Sequence, residues 1–210
     1  MRQGNIPKVV VLFSGGVEST CLLYMYLQKG WLVYPLYVKS GYPWEGLELE
    51  NAKRLWQYTK KIHKNLMPLR TINLLNPEPL NRRRHDKDLY MPLRNLNLVT
   101  SASIYASTKS IKRVAIGSLD MYPFPDNNAE YMEDLRRLVG MELLTPFMGM
   151  HKEEVVKRFA NHVPLNKTLS CILPRKQGGR IVACGRCEKC KEREDAIQSL
   201  LSYEVIGSMK

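Results

Sequence analysis

No run in the 210-residue chain approaches the roughly 20 apolar residues needed to span a bilayer. The opening MRQGNIPK lacks the layout of a secretory signal, so a cytoplasmic protein with no membrane partner is expected. Internal repeats and low-complexity stretches are missing as well, which excludes solenoids and fibrous classes. Cysteine is scarce, with five in all, and four of these crowd the last fifth of the chain. That is no disulfide framework for a chain of this length, and the cluster reads as metal ligands instead. Acidic residues are in the minority, 20 against 32 Lys and Arg, for a formal charge of +12. The excess suits anionic partners such as a nucleotide, pyrophosphate or RNA. What remains is ordinary: 44% hydrophobic and 25% charged residues, in a length that fits one domain plus an appendage.

The most informative stretch is KVVVLFSGGVESTC, Lys8 to Cys21. An unbroken apolar run, Val9 to Phe13, predicts a strand buried on both faces. Ser14-Gly15-Gly16 predicts a tight turn, and the spacing of Leu22, Leu23, Met25, Tyr26 and Leu27 a helix after it. Glycines let an anion approach the main chain, and the free N–H groups and dipole of a helix start favour phosphate. The turn is therefore a candidate phosphate cradle, or equally an ordinary strand-to-helix turn capped by Ser14 or Ser19. It is neither a G-x-x-x-x-G-K-[ST] loop nor a three-glycine dinucleotide fingerprint.

Further strands are predicted at Trp31 to Val38, where Pro35 suggests an edge or a bulge, at Leu66 to Leu75, interrupted by Pro68, and at Ile111 to Gly117. Leu143 to Pro146 is a short final strand or turn. Helical spacing covers Glu45 to His63, the segment after Pro92 to Thr108, Ala129 to Val139 and His151 to Phe159. This alternation predicts an α/β fold, a doubly wound and mainly parallel five-stranded sheet, with ligands at the carboxyl ends of its strands. Residues 1–165 form the α/β domain and 166–210 a helical metal-binding segment.

Several charged residues stand out. Arg94 and Lys152 fall in first helical turns, where a cation opposes the dipole unless an anion holds it. Asp120 and Asp126 lie in a proline-rich loop after the fourth strand, placed for a substrate or Mg²⁺, although Asp126 equally suits the N-cap of the helix from Ala129. Arg82, Arg83, Arg84 and His85 form a basic run that could touch RNA or phosphate, but without the aromatics that stack bases. Cys21 reads as a small core residue.

Cys171, Cys184, Cys187 and Cys190 are spaced C-x12-C-x2-C-x2-C. Two residues between cysteines aim both thiolates at one ion, and a distant thiolate closes a tetrahedral site. Zn²⁺ fits four soft ligands best, with an iron–sulfur cluster as the alternative. With no open position, the site is structural.

The string SGGVEST resembles the SGGxDS signature of the PP-loop ATP pyrophosphatases, with Glu18 where that superfamily usually has Asp. Together with PLRNL (Pro92 to Leu96), LLTPFMGMHKEEV (Leu143 to Val155) and TLSC followed by CGRCEKC (Thr168 to Cys190), it resembles the 7-cyano-7-deazaguanine synthases over nearly the whole chain. The resemblance implies an adenine nucleotide alpha hydrolase-like fold. It also implies conversion of 7-carboxy-7-deazaguanine and ammonia to the nitrile through an adenylated intermediate, with ATP, Mg²⁺ and structural Zn²⁺. Phe13, Ser14, Gly15, Gly16, Val17, Glu18, Ser19, Thr20, Arg94 and Gly117 would hold ATP. Ser14, Glu18, Ser19, Arg94 and Lys152 would be catalytic, and Asp120 and Asp126 would meet the substrate.

No glutaminase-like segment is evident, which suggests free ammonia. In the loop after the fourth strand, where the family usually reads TDxSGYPDCR, this chain reads LDMYPFPDNN. It keeps Asp120 and Pro125-Asp126 but lacks the glycine, cysteine and arginine. A related PP-loop enzyme adenylating another acceptor, a tRNA base or a protein partner, is the alternative. Nucleic acid is compatible but not required, as is a homodimer.

Overall fold

A computed structural model describes residues 6–74, 90–119 and 124–207, with side chains to residue 200. Asp120 and the Arg82–His85 run lie outside the described residues. The chain alternates β1 (Lys8–Leu12), α1 (Val17–Gln28), β2 (Leu32–Lys39), α2 (Glu45–Ile62) and β3 (Arg70–Asn73). It then continues through α3 (Arg94–Thr108), β4 (Arg113–Ala115), α4 (Ala129–Val139), β5 (Glu142–Leu144) and α5 (Lys152–Phe159). A short 3₁₀ turn at Leu165–Lys167, the hairpin strands β6 (Arg175–Gln177) and β7 (Arg180–Val182), and α6 (Glu188–Gly207) complete it. Among the described residues, no helix is long and apolar enough to cross a membrane.

The five long-range strands form one parallel sheet in the order β3-β2-β1-β4-β5. The chain winds outward from β1 to β3, then crosses back to β4 and β5, so the switch point lies between β1 and β4. There the carboxyl ends leave a crevice that helices cannot fill, the expected place for a ligand. Val9, Val11 and Phe13 pack into the core beneath α1 and α5, while Val10 and Leu12 pack into the core beneath α3 and α4. This two-sided burial explains why β1 shows no alternation.

Pro35 lies inside the sheet rather than at its edge, because β2 pairs with both β1 and β3. Its neighbours show how this is tolerated. Leu32 donates to Pro7 O and Leu36 accepts from Phe13 N–H, so even-numbered residues of β2 bond to the β1 side. Val33 bonds to Asn65 and Met67 on the other side, which is therefore where the Pro35 nitrogen faces. Pairing there slips from Val33 opposite Leu66 to Leu36 opposite Arg70, an extra residue on the partner and hence a bulge. Pro68 sits within it, and β3 is cut to Arg70–Asn73. Two prolines thus share one interruption, where no ladder bond needs the missing donors.

Asp126 corrects its expected role. The N-cap of α4 is Asn128, whose Oδ1 accepts from Tyr131 N–H at 2.9 Å. Asp126 instead caps a different helix. α3 starts after Leu93, an apolar residue in the left-handed region that cannot cap it. The buried Asp126 carboxylate accepts from Asn95 N–H at 3.2 Å, and Asn95 Nδ2 donates to Asp126 O at 2.6 Å.

Candidate active site and metal centre

The turn after β1 is shaped by backbone and packing together. Gly15 has φ +79°, and a Cβ there would lie 3.1 Å from Ala52 Cα of α2. No side chain meets both demands. Gly16 is the N-cap of α1, and a Cβ on it would crowd the Ser14 and Ser170 hydroxyls at 3.3 and 3.5 Å. A Cβ on Gly117, just past β4, would lie 3.2 Å from the Glu18 carbonyl carbon, so only glycine leaves that backbone unpressed. The N–H groups that a phosphate would use meet hydroxyls: Gly16 N donates to Ser14 Oγ at 3.3 Å and Val17 N to Ser170 Oγ at 3.4 Å. Ser19 Oγ lies 3.2 Å from Ser14 Oγ. Thr20, expected to hold nucleotide, is fully buried and donates to Gly16 O at 2.6 Å, so its part is to brace the turn.

The turn opens into a cavity of about 310 Å³ lined by Phe13, Ser14, Gly16, Glu18, Ser19, Arg94, Gly117, Asp126 and Lys152. The structure thus brings together the site residues expected from four separate stretches of sequence. Gly15, Val17 and Thr20 stand behind this lining. Lys152 is only 1% exposed, yet its Nζ meets Glu18 Oε1 at 3.0 Å and Glu192 Oε2 at 2.8 Å. Burial by itself would lower the lysine's pKa, but the two carboxylates outweigh it and hold it above the usual value. The anion expected beside Lys152 is thus supplied by the protein. Lys189, within 3.5 Å of Glu192, is held below the ordinary lysine value by burial, assisted by the charge of Lys152.

Other lining residues had no sequence signal. Ser170 lies in the TLSC string, but only its cysteine was singled out. On the opposite wall Tyr37 donates to Glu48 Oε1 at 2.7 Å, and burial pushes the Glu48 carboxyl up to about 7 against the opposing pull of that bond and of Arg94. Glu45 accepts from Ser40 and Gly41 N–H at 2.5 and 2.9 Å, pinning the loop before α2. Tyr42 and Trp44 stack at 4.4 Å, with the Arg94 guanidinium 5.9 Å from the Tyr42 ring, while Tyr90 and Phe124 pair at 5.3 Å. The cavity lining therefore combines hydroxyl and charged groups with aromatic rings, a mixture suited to a ligand joining phosphates to flat rings.

The four cysteines meet as the spacing predicts. Their sulfur atoms all lie within 4.8 Å of one another, with separations of 3.5 Å for Cys187–Cys190, 3.8 Å for Cys184–Cys190 and 4.0 Å for Cys187–Cys171. A tetrahedron with metal–sulfur bonds of about 2.3 Å has edges of about 3.8 Å, so the donor set fits one four-coordinate ion. Cys171 Sγ also accepts from the N–H groups of Leu173 and Cys184 at 3.3 and 3.2 Å, which spreads thiolate charge. Lys189 and Lys191, next to the cysteines in sequence, sit beside Glu192 and Glu188. The β6–β7 hairpin, which lies between the first two cysteines, was not anticipated, although Gly178-Gly179 is a two-residue hairpin-turn signal. Cys21 is fully buried and its thiol is pushed up to about 12 by burial, as a core residue should be.

Comparison with known proteins agrees with this architecture. The family profile described as "Queuosine biosynthesis protein QueC" matches residues 8–201. A "7-cyano-7-deazaguanine synthase 1" from Desulfitobacterium hafniense is 32% identical over 209 residues, covering 91% of each chain. A "7-cyano-7-deazaguanine synthase" from Methanospirillum hungatei is 26% identical, covering 92% of this chain and 96% of its own. Among solved structures, a 4-thiouridine synthetase in complex with RNA and bound ATP superposes with a TM-score of 0.53 at 19% identity. It covers 92% of this chain and 54% of that one, a likeness of fold.

Proposed function

From the premise that the chain belongs to the queuosine biosynthesis QueC family, we propose that it makes 7-cyano-7-deazaguanine from 7-carboxy-7-deazaguanine and ammonia at the expense of ATP. The observation that carries this reading is the SGG turn opening at the carboxyl end of β1 into a cavity that also holds Arg94, Lys152 and aromatic walls.

A carboxylate is inert to ammonia. Transfer of AMP to its oxygen releases pyrophosphate and creates a leaving group, and ammonia then displaces AMP to give the amide. A second adenylation, on the amide oxygen, lets AMP depart with that oxygen as two protons leave nitrogen, forming the nitrile. In this scheme the N–H groups of Gly16 and Val17, with the hydroxyls of Ser14 and Ser19, receive the phosphates in place of their internal partners. Arg94 and Lys152 offset the charge that builds on the departing pyrophosphate. Glu18, on the turn and lining the cavity, is the carboxylate that would hold Mg²⁺, which would offset charge on the phosphates. Asp126 orders the start of α3, and with it Arg94, from a place on the cavity lining. Zn²⁺ is the ion proposed for the four thiolates, in a segment of residues 166–210 that buttresses the nucleotide-binding part, 1–165.

The test is mass spectrometry of a reaction containing purified protein, ATP, Mg²⁺, ammonium and 7-carboxy-7-deazaguanine. Nitrile with AMP is the expected result. ATP consumption without nitrile would support a different acceptor, a reading favoured by the departure of the LDMYPFPDNN loop from the family pattern.

A further inference from the structure

The ion network behind the phosphate turn joins two parts of the chain far apart in sequence. Lys152 opens α5 and is almost wholly buried. A buried ammonium is tolerated only while a carboxylate stays beside it. Lys152 has two such partners, and they differ in position. Glu18 stands on the turn itself, one residue into α1, and lines the cavity. Glu192 stands on α6, two residues past Cys190. The start of α6 carries Cys190, whose sulfur lies 3.5 Å from that of Cys187 and 3.8 Å from that of Cys184. The same segment touches the turn again: Leu169 N donates to Gly15 O at 3.0 Å, and Val17 N to Ser170 Oγ next to Cys171.

We infer that Glu192 is a positioning residue for the phosphate site, holding Lys152 in place so that Glu18 can leave it when nucleotide arrives, and that it couples the four-cysteine site to nucleotide binding. With Glu192 present, Lys152 keeps one carboxylate throughout, and Glu18 is released at low cost. Without it, Glu18 is the only carboxylate shown on the lysine, and nucleotide binding must break a buried ion pair. Disturbing the cysteine cluster moves Glu192 and has the same consequence. The inference rests on the phosphates being bound at the turn but not on the identity of the acceptor.

The experiment is calorimetric titration of the full chain with Mg²⁺ and the non-hydrolysable α,β-methylene ATP. Metal content and thermal midpoint are recorded on the same samples. Glu192→Gln is expected to weaken nucleotide binding at least tenfold with the metal content unchanged, to raise the KM for ATP and to leave that for the acceptor alone. Glu192→Asp, which keeps the charge, should recover part of the loss and serves in its place should the glutamine variant fail to fold. Wild-type protein stripped by a chelator should show a loss of similar size, and stripping Glu192→Gln should add little, because both perturbations act through one contact. Wild-type affinity in both variants would overturn the proposal, as would additive losses from stripping and substitution. A wild-type protein that binds no Mg·nucleotide would overturn the ATP reading and this inference with it.

Discussion

The glycine turn after β1 and the cysteine segment lie against each other but are held in shape by different means. Behind the turn stands a large apolar core, with Val9, Val11, Val17 and Leu22 fully buried, and its conformation follows from chain packing. The cysteine segment has little apolar company, chiefly Leu169, Ile172, Trp44 and Ile181. Its buried polarizable atoms are the thiols themselves. A shape made by packing persists without ligand, whereas one made by converging thiolates depends on the ion that neutralises them. The turn therefore owes its shape to packing, whereas the four-cysteine segment has the donor set of a metal site beside it.

The sharpest way to break this contrast is to remove one thiolate. Cys187→Ser should lose metal and lower the thermal midpoint together, by on the order of 10 °C, since ion binding here is folding free energy. A metal-free variant of unchanged midpoint would show that packing suffices. On the other side, Gly15→Ala places a side chain at φ +79° against the Ala52 backbone. It should cost ~3 kcal/mol by denaturant titration, from strain and overpacking combined. Gly16→Val should be gentler on stability, because φ there is −72°, yet abolish ATP consumption by filling the cradle.

The far wall sharpens the comparison through pH. Glu48 has its folded pKa raised from 4.5 to about 7. The native state therefore holds a proton that the unfolded chain gives up, and this stabilisation is present at pH 4.5 and below and lost as pH rises to about 7. Glu48→Gln should be flat over that window, so the difference in unfolding free energy between variant and wild type should grow between those limits and level off above. The smallest effect is expected from Ser170→Ala, which removes a 3.4 Å hydrogen bond to Val17 N–H. About 1 kcal/mol or less of stability should go, while nucleotide, which competes for the same N–H, should bind no more weakly.

Much of the fold could be read in advance because its signals are local. The apolar run of β1 and the glycines after it lie within one short string, and α4 was expected at Ala129 to Val139 and is observed there. Strand ends were less legible. The strand expected from Leu66 begins only at Arg70, because the bulge at Pro68 opposite Pro35 consumes its first half; Leu75, its expected end, lies outside the described residues. Asp126 could be recognised as a capping residue but not assigned to a helix, since its target, Asn95, lies 31 residues upstream. Glu48, Tyr37 and Glu192 belong to no motif, and Ser170 stood in the TLSC string with nothing to mark its contact with the turn. Their meaning depends on the neighbours that folding supplies.

What the amino-acid order determined by itself is the alternating α/β layout, the glycine turn between β1 and α1 and the four-cysteine set, each encoded over a few turns of chain by periodicity, glycine or ligand spacing. What only the tertiary structure decided is which charges face one another. Lys152, Glu18 and Glu192 come from three separate helices and meet only because α1, α5 and α6 pack together. Burial, which makes their pairing obligatory, is a property of that packing and of no single residue.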